Sequence, residues 1–290
     1  MKISINSEIG RLDGVIIHTP GSEVENMTPE NAERALYSDI LNLSIASREY
    51  AQFKGIMEKG SRVFEIKDLL SDILKNEPAK AALLQEICSH ESLPGMKEKL
   101  EATGASVLAN MLIEGVVLEK DNLTNYLSSE KFLMRPLHNL FYTRDSAMGL
   151  NNQMLIGRMA NPVRERESII MDAIFRFHPV FESVNLNPLK PEPGLSAQTG
   201  VTLEGGDFMV IRDNIFVMGT GIRTSTQGID FVIERIKQQK EGVHHLIVQE
   251  LPSTPESFIH LDMVFTMLSR EECMVYEPVV FKLNRYKTIY

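Results

Sequence analysis

Cysteine is scarce in this chain of 290 residues: only Cys88 and Cys273 are present. Two such thiols are too few for a disulfide framework and are not spaced as a zinc pair, so neither redox stapling nor a structural metal is indicated. Basic residues are also in deficit, with 30 Lys and Arg against 39 Asp and Glu. The net charge of −9 argues against a nucleic-acid partner, which calls for a concentrated basic face. No stretch approaches the roughly 18 continuous apolar residues of a membrane span. The opening MKISINSEIG lacks the apolar core of a signal peptide, so the expected setting is the cytoplasm, with no membrane partner. What is present is 43% hydrophobic sequence, long enough to bury a substantial core.

LDGVIIHTPG is a short β-branched run closed by Pro20 and Gly21, a strand followed by a loop. After it, Thr28 is the expected N-cap of a helix with Pro29 at its first position. Ala46, Tyr50, Phe53 and Met57 recur at helical spacing up to Gly60, and RVFEI supplies the next strand. From about residue 68 to 131, Leu, Ala, Glu and Lys dominate, with Pro78, Pro94, Gly104 and Gly115 as punctuation. This predicts an inserted bundle of short helices.

A repeat follows. RDSAMGLNNQMLIGRM reads as two strands around Asn151 and Asn152, followed by the helix PVRERESIIMDAIFRF and the strand HPVFESV. GDFMVIRDNIFVMG reads as two strands around Asp213 and Asn214, followed by a helix near TQGIDFVIERIKQQ and the strand HHLIVQEL. Asp145, Asp207 and Asp262 open successive units of strand, strand, helix, strand. Such units satisfy their edges by radial closure around an axis, with loops gathered at one end. The third unit offers no recognisable helix or closing strand after its hairpin, so the propeller is expected to be incomplete at the C-terminus.

TLEGGDFMV, residues 202 to 210, sets two carboxylates around a pair of glycines. By itself it reads as a tight turn. LHNLFYTRD adds Asn139, Arg144 and Asp145, which alone read as an ion pair at a strand start, and FIHLDMVF adds His260 and Asp262. If that last segment is extended, His260 and Asp262 share a face. Radial closure would gather Asp145, Glu204, His260 and Asp262. Several carboxylates and one His suit a cationic, multi-donor ligand, and a guanidinium offers five N–H donors that carboxylates accept two at a time.

SEIGRLDGVIIHTPG, NLFYTRD, VRERES, LEGGD, GIRTS and HLDMVFT, in this order, resemble the arginine deiminases of the guanidine-modifying superfamily. The resemblance covers essentially the whole chain. It implies one α/β domain over residues 1–290, a five-fold pseudosymmetric α/β propeller (pentein) with a helical insertion at 68–131. It implies hydrolysis of L-arginine to L-citrulline and ammonia, without a cofactor or metal. Asp145 and Asp262 would grip the guanidinium, and His260 would act as general acid and base, held by Glu204. Asn139, Arg164 and Arg223 would bind the amino-acid end, Tyr142 would lie beside the substrate, and Asp207 would brace the site. Related enzymes self-associate, so a homo-oligomer is the corresponding expectation.

The family's nucleophile is a cysteine in the last module, which forms a thiouronium intermediate. No cysteine of these 290 residues matches it, and the chain as it stands is expected to be inactive. Cys273 reads as a small buried hydrophobe on the second strand of its hairpin, away from the end that presents His260. An arginine-binding pseudoenzyme and an amidinotransferase of the same fold are the alternatives.

Overall fold

The run Gly14–Ile17 forms β1, and Arg62–Glu65 forms β2, parallel to it with Gly14 opposite Arg62. Both are seen in a computed structural model that describes residues 1–27, 37, 40–93, 95–190, 200–238 and 242–290. Two compact units divide the chain: Leu12–Thr143, and Met1–Arg11 together with Arg144–Tyr290.

In the first unit, α1 (Ser22–Glu25) precedes α2 (Leu43–Gly60), the helix expected from its apolar spacing. Asn42 caps α2, its side chain accepting the Ile45 N–H at 3.2 Å. The expected cap at Thr28 and Pro29 lies outside the described residues. No residue of α2 is fully buried, so its apolar stripe is only part covered. A run of short helices follows: α3 (Ile66–Ile73), α4 (Glu77–His90), α5 (Met96–Glu101), α6 (Ala105–Glu114) and α7 (Leu123–Leu127). Asn76 and Asn122 cap α4 and α7 through the N–H groups of Ala79 and Asn125. α3 packs against α6 and buries Ile66, Leu69, Leu70 and Ile73, each contributing roughly 1.5–3 kcal/mol through burial. β3 (Val116–Val117) and β4 (Phe132–Met134) form a short antiparallel pair.

The second unit repeats one pattern. β5 (Ala147–Leu150) and β6 (Gln153–Ile156) form an antiparallel hairpin whose turn places Asn151 at a φ of 53°. Helix α8 (Glu165–Phe177) leads to β7 (Val184–Leu186), parallel to β6. The strand starts later than HPVFESV implied, because His178–Phe181 is held as a turn by the bond from the Phe181 N–H to the His178 carbonyl. The next repeat has the same topology. β8 (Phe208–Arg212) and β9 (Ile215–Thr220) form the hairpin, and α9 (Thr226–Gln238) leads to β10 (His245–Glu250), parallel to β9. A third hairpin, β11 (Phe265–Met267) with β12 (Cys273–Val275), follows.

The last stretch departs from the sequence reading, which found no helix or closing strand there. Glu277–Val280 forms a one-turn helix, α10, with Pro278 in its first turn, where proline's fixed φ suits a helix start. Thr288–Ile289 forms β13, which pairs antiparallel with β10 of the preceding repeat.

Strand alternation divides the core of this unit in two. Phe208, Val210, Phe216 and Met218 face α9 through Ile229, Phe231, Val232 and Ile236. Met209 and Val217 point the other way, onto Leu251, Leu261, Val264 and Val279. The second layer anchors Leu261 and so fixes its neighbours His260 and Asp262 over the start of β8.

Candidate active site

Each acidic position opening a repeat sits in a short turn just before the first strand of its hairpin. Asp145 lies in Thr143–Ser146 before β5, Asp207 in Gly205–Asp207 before β8, and Asp262 in Leu261–Met263 before β11. The segment carrying His260 and Asp262 is thus a 3-10 turn, not the extended run considered from sequence. His260 caps that turn with extended backbone, at φ −119° and ψ 151°.

The two glycines of LEGGD are there because other atoms stand where their side chains would be. A Cβ on Gly205 would come within 1.9 Å of the Arg144 carbonyl oxygen. One on Gly206 would meet His260 Nδ1 at 2.7 Å and Asp262 Oδ2 at 3.2 Å. The turn therefore lies directly against the histidine.

Glu204 is completely buried and accepts from two directions. Its Oε1 takes the Ala160 N–H at 2.9 Å, and its Oε2 lies 3.0 Å from His260 Nε2. Arg223 Nη1 and Arg164 Nη1 stand 3.6 and 3.7 Å from the same Oε2. Burial pushes the Glu204 carboxyl up, but His260, the two guanidiniums and the Ala160 N–H outweigh it and hold the carboxyl below the usual range. His260 shows the reciprocal effect. Burial disfavours its charge, yet the Glu204 bond and the charges of Asp145 and Asp207 raise it to about 9. The imidazole is therefore kept as imidazolium at neutral pH.

Asp145 accepts the Gly206 N–H at 3.2 Å through Oδ1 and Arg164 Nη1 at 2.9 Å through Oδ2. Arg164 ends the turn Pro162–Arg164, which Asn161 caps, and its fork binds both oxygens of Glu167 three residues on, at 3.1 and 2.9 Å. Burial opposes the Arg164 charge, but Glu167, Asp145 and Glu204 raise its affinity for the proton well above the ordinary guanidinium range. Asp207, also fully buried, accepts the Leu261 N–H at 2.9 Å through Oδ1, while its Oδ2 has no hydrogen-bond partner. Burial pushes this carboxyl up to about 7, only partly offset by His260, the nearby Thr224 hydroxyl and the Leu261 N–H. Asp262 is the solvent-facing acid of the set; desolvation raises its carboxyl, with His260 opposing and Asp145 adding.

Seven residues singled out from sequence thus lie in one unit: Asp145, Arg164, Glu204, Asp207, Arg223, His260 and Asp262. Asn139 and Tyr142 belong to the Leu12–Thr143 unit, where the Tyr142 N–H donates to the Asn139 carbonyl at 2.9 Å. Asn139 is buried and Tyr142 half exposed. Cys273 is exposed rather than buried, because β12 is an outer strand of a two-stranded sheet. It pairs with Met267, while Phe265 and Val275 pair at the end of the hairpin nearer Asp262.

Sequence reasoning assigned no role to Glu8 or Glu167. Glu8 takes the Arg144 fork at 2.9 and 3.0 Å, and Arg144 donates to the carbonyls of Gly205 and Phe208, bracketing the LEGGD turn. No local pattern announces a pair 136 positions apart. Glu167, by contrast, stands three residues after Arg164 at a helix start, a spacing legible in VRERES.

Asp145, Glu204 and His260 present one atom each within 4.8 Å of one another and could in principle hold a metal ion. Here Asp145 already bears the Arg164 cation and Glu204 the His260 ring. Acids grouped around an imidazole are also an arrangement that can accept a positively charged planar ligand and move a proton through the histidine.

A family model described as arginine deiminase matches residues 33–289. The chain belongs to the arginine deiminase family. Two relatives named arginine deiminase, from Staphylococcus aureus strains MRSA252 and Newman, are each 29% identical over 292 aligned positions, covering 96% of this chain and 70% of the relative. Among solved structures, the N-terminal domain of ArgZ, an arginine dihydrolase of cyanobacteria, superposes with a TM-score of 0.53 at 11% identity, covering 92% of this chain and 67% of that one. SxtG, an amidinotransferase from Microseira wollei, gives 0.51 at 13% identity, over 94% of this chain and 69% of that one. These likenesses identify the α/β fold that this arginine deiminase family member shares. Among its described residues, no helix is long and apolar enough to cross a membrane.

Proposed function

We propose that this chain binds L-arginine and, with a thiolate nucleophile, hydrolyses it to L-citrulline and ammonia. The observation that carries the reading is the imidazolium of His260, bonded at 3.0 Å to a buried Glu204 and lying beside Asp145 and Asp262. Asp145 and Asp262 grip the guanidinium, leaving its central carbon open to attack. The thiolate adds to that carbon, the bond to one terminal nitrogen breaks, and His260 gives that nitrogen the proton with which it leaves as ammonia. A water then loses a proton to His260 and attacks the thiouronium carbon. The C–S bond breaks as the new hydroxyl gives up its remaining proton to solvent, returning the thiolate and releasing citrulline. Asn139, Arg164 and Arg223 hold the amino-acid end, Tyr142 lies beside the substrate, and Asp207 braces His260 through the Leu261 N–H.

Neither Cys88, in α4, nor Cys273, at the turn end of its hairpin, supplies the thiolate in this reading. The three ββ units, each opened by an acidic turn, support assignment as modules of a five-fold α/β propeller with the helices of 68–131 inserted. Transfer of the amidino group to an amine would make the protein an amidinotransferase instead; ornithine formed only when an acceptor amine is present would mark that outcome.

Calorimetry on the 290-residue chain is the test. Arginine is expected to release binding heat that Asp145→Asn abolishes, with no citrulline formed. Absence of heat with the wild-type chain would overturn the binding reading, and citrulline formation lost on Cys273→Ser would overturn the statement about the thiolate.

A further inference from the structure

Consecutive residues of opposite charge hold the two ends of one peptide group. Arg144 Nε donates to the Gly205 carbonyl at 3.0 Å, and Asp145 Oδ1 accepts the Gly206 N–H at 3.2 Å. That carbonyl and that N–H belong to the same peptide unit, so a cation faces its oxygen and a carboxylate its hydrogen, the direction in which the peptide dipole is stabilised. The unit lies against the histidine: a Cβ on Gly206 would meet His260 Nδ1 at 2.7 Å.

Arg144 is itself fixed on its far side. Nη1 and Nη2 donate to the two Glu8 oxygens at 3.0 and 2.9 Å, and Nη2 also to the Phe208 carbonyl at 2.6 Å. Glu8 Oε1 in turn accepts the Val210 N–H at 2.9 Å, and the segment bearing Glu8 is tied down by the Ile5 N–H on the Asn151 carbonyl at 2.7 Å. The Arg144 side chain is 43% exposed, and an ion pair that open to water contributes little stability. What its bonds fix is direction. They matter because glycine stands on both sides of the peptide, and glycine tolerates the backbone angles that a rotated Gly205–Gly206 unit would require. Such a rotation turns the Gly206 N–H away from Asp145 and brings the carbonyl oxygen toward the carboxylate.

We infer that Arg144, anchored by Glu8, is a positioning residue: by holding the Gly205 carbonyl it keeps the Gly206 N–H on Asp145, and so sets the direction in which Asp145 meets a ligand guanidinium. Arg144 does not touch the ligand; it acts through the peptide. The effect on the ligand rests on the proposed arginine-binding reading, whereas the orientation of the peptide does not.

Hydrogen exchange of the Gly206 amide, followed by NMR, tests this together with calorimetric arginine binding. Arg144→Met removes every donor and is expected to speed Gly206 exchange roughly tenfold or more, matching the local stability that a hydrogen bond from a charged donor supplies. Amides of α9 should keep their wild-type rates. Arginine should bind more weakly on the order of tenfold, the lower end of the loss seen when the orienting partner of a metal ligand is removed. Glu8→Gln, which leaves Arg144 its carbonyls but removes the charge of its anchor, should move both readouts the same way by a smaller factor. Unchanged Gly206 exchange in Arg144→Met overturns the inference, because the peptide then needs no arginine. Acceleration shared equally by α9 overturns it too, because Arg144 then acts on stability alone. Faster Gly206 exchange with unchanged arginine affinity overturns the link to Asp145, and wild-type behaviour of Glu8→Gln in both readouts overturns the role of Glu8 as anchor. A wild-type chain that binds no arginine overturns the arginine reading itself, and the exchange rates still decide how the peptide is held. If circular dichroism shows Arg144→Met unfolded, Glu8→Gln decides on the same outcomes.

Discussion

His260 Nε2 lies 3.0 Å from Oε2 of Glu204, a carboxylate without exposed surface. One contact thereby sets the protonation of both groups, raising the imidazole to about 9 and lowering the carboxyl. In Glu204→Gln the His260 titration, followed by NMR of its ring C–H, is expected to fall by about one unit or more, each unit representing about 1.4 kcal/mol of lost preference for the charged ring. An unmoved titration would remove Glu204 as the group that tunes the histidine.

The same pair makes stability depend on pH. His260 titrates at 6.5 when unperturbed and at about 9 in the fold, so the folded state holds the proton more tightly. Its contribution is complete below pH 6.5 and is lost as pH rises through 9, an effect of about 3 kcal/mol at most. Urea unfolding of the wild type should show this decline between those limits, and His260→Asn should lack it. Parallel curves for the two proteins would contradict the assignment.

Asp207 titrates in a different window. Its carboxyl rises from 3.8 to about 7 because burial strips it of water, which His260, Thr224 and the Leu261 N–H only partly offset. The folded state binds this proton preferentially too, so the stability it contributes is present below pH 3.8 and lost as pH rises through 7. Asp207→Asn keeps an oxygen for the Leu261 N–H and removes the titration. Relative to wild type, the variant is expected to gain stability from pH 4 to pH 7 and to run parallel above it. A constant difference across that range would show that Asp207 keeps its charge in the fold.

Gly206→Ala tests the close approach. The added methyl would stand 2.7 Å from His260 Nδ1 and 2.8 Å from its Cγ, so the ring must move off the turn. The expected cost is about 1–3 kcal/mol of stability, accompanied by loss of the raised His260 titration. Wild-type behaviour in both measurements would mean that the turn and the ring are further apart than described.

Much of the second unit was legible locally. The hairpins around Asn151–Asn152 and Asp213–Asn214, and the helices after them, follow from alternation and turn chemistry carried within a few residues. VRERES, LEGGD and HLD drew attention to Arg164, Glu204, His260 and Asp262 by residue type, and the fold places all four in one unit. Sequence could not announce that Glu8 and Arg144 bracket the LEGGD turn, that β13 pairs with β10, or that Arg164 is committed to Asp145. Nor could it distinguish the neutral-pH protonation of Asp207 from that of Glu204, two acids three positions apart. Residue type, helical or strand period and turn propensity are local properties, and the chain alone determined them. Desolvation and ion pairing depend on which distant groups share a dry space, and only the tertiary structure decided that.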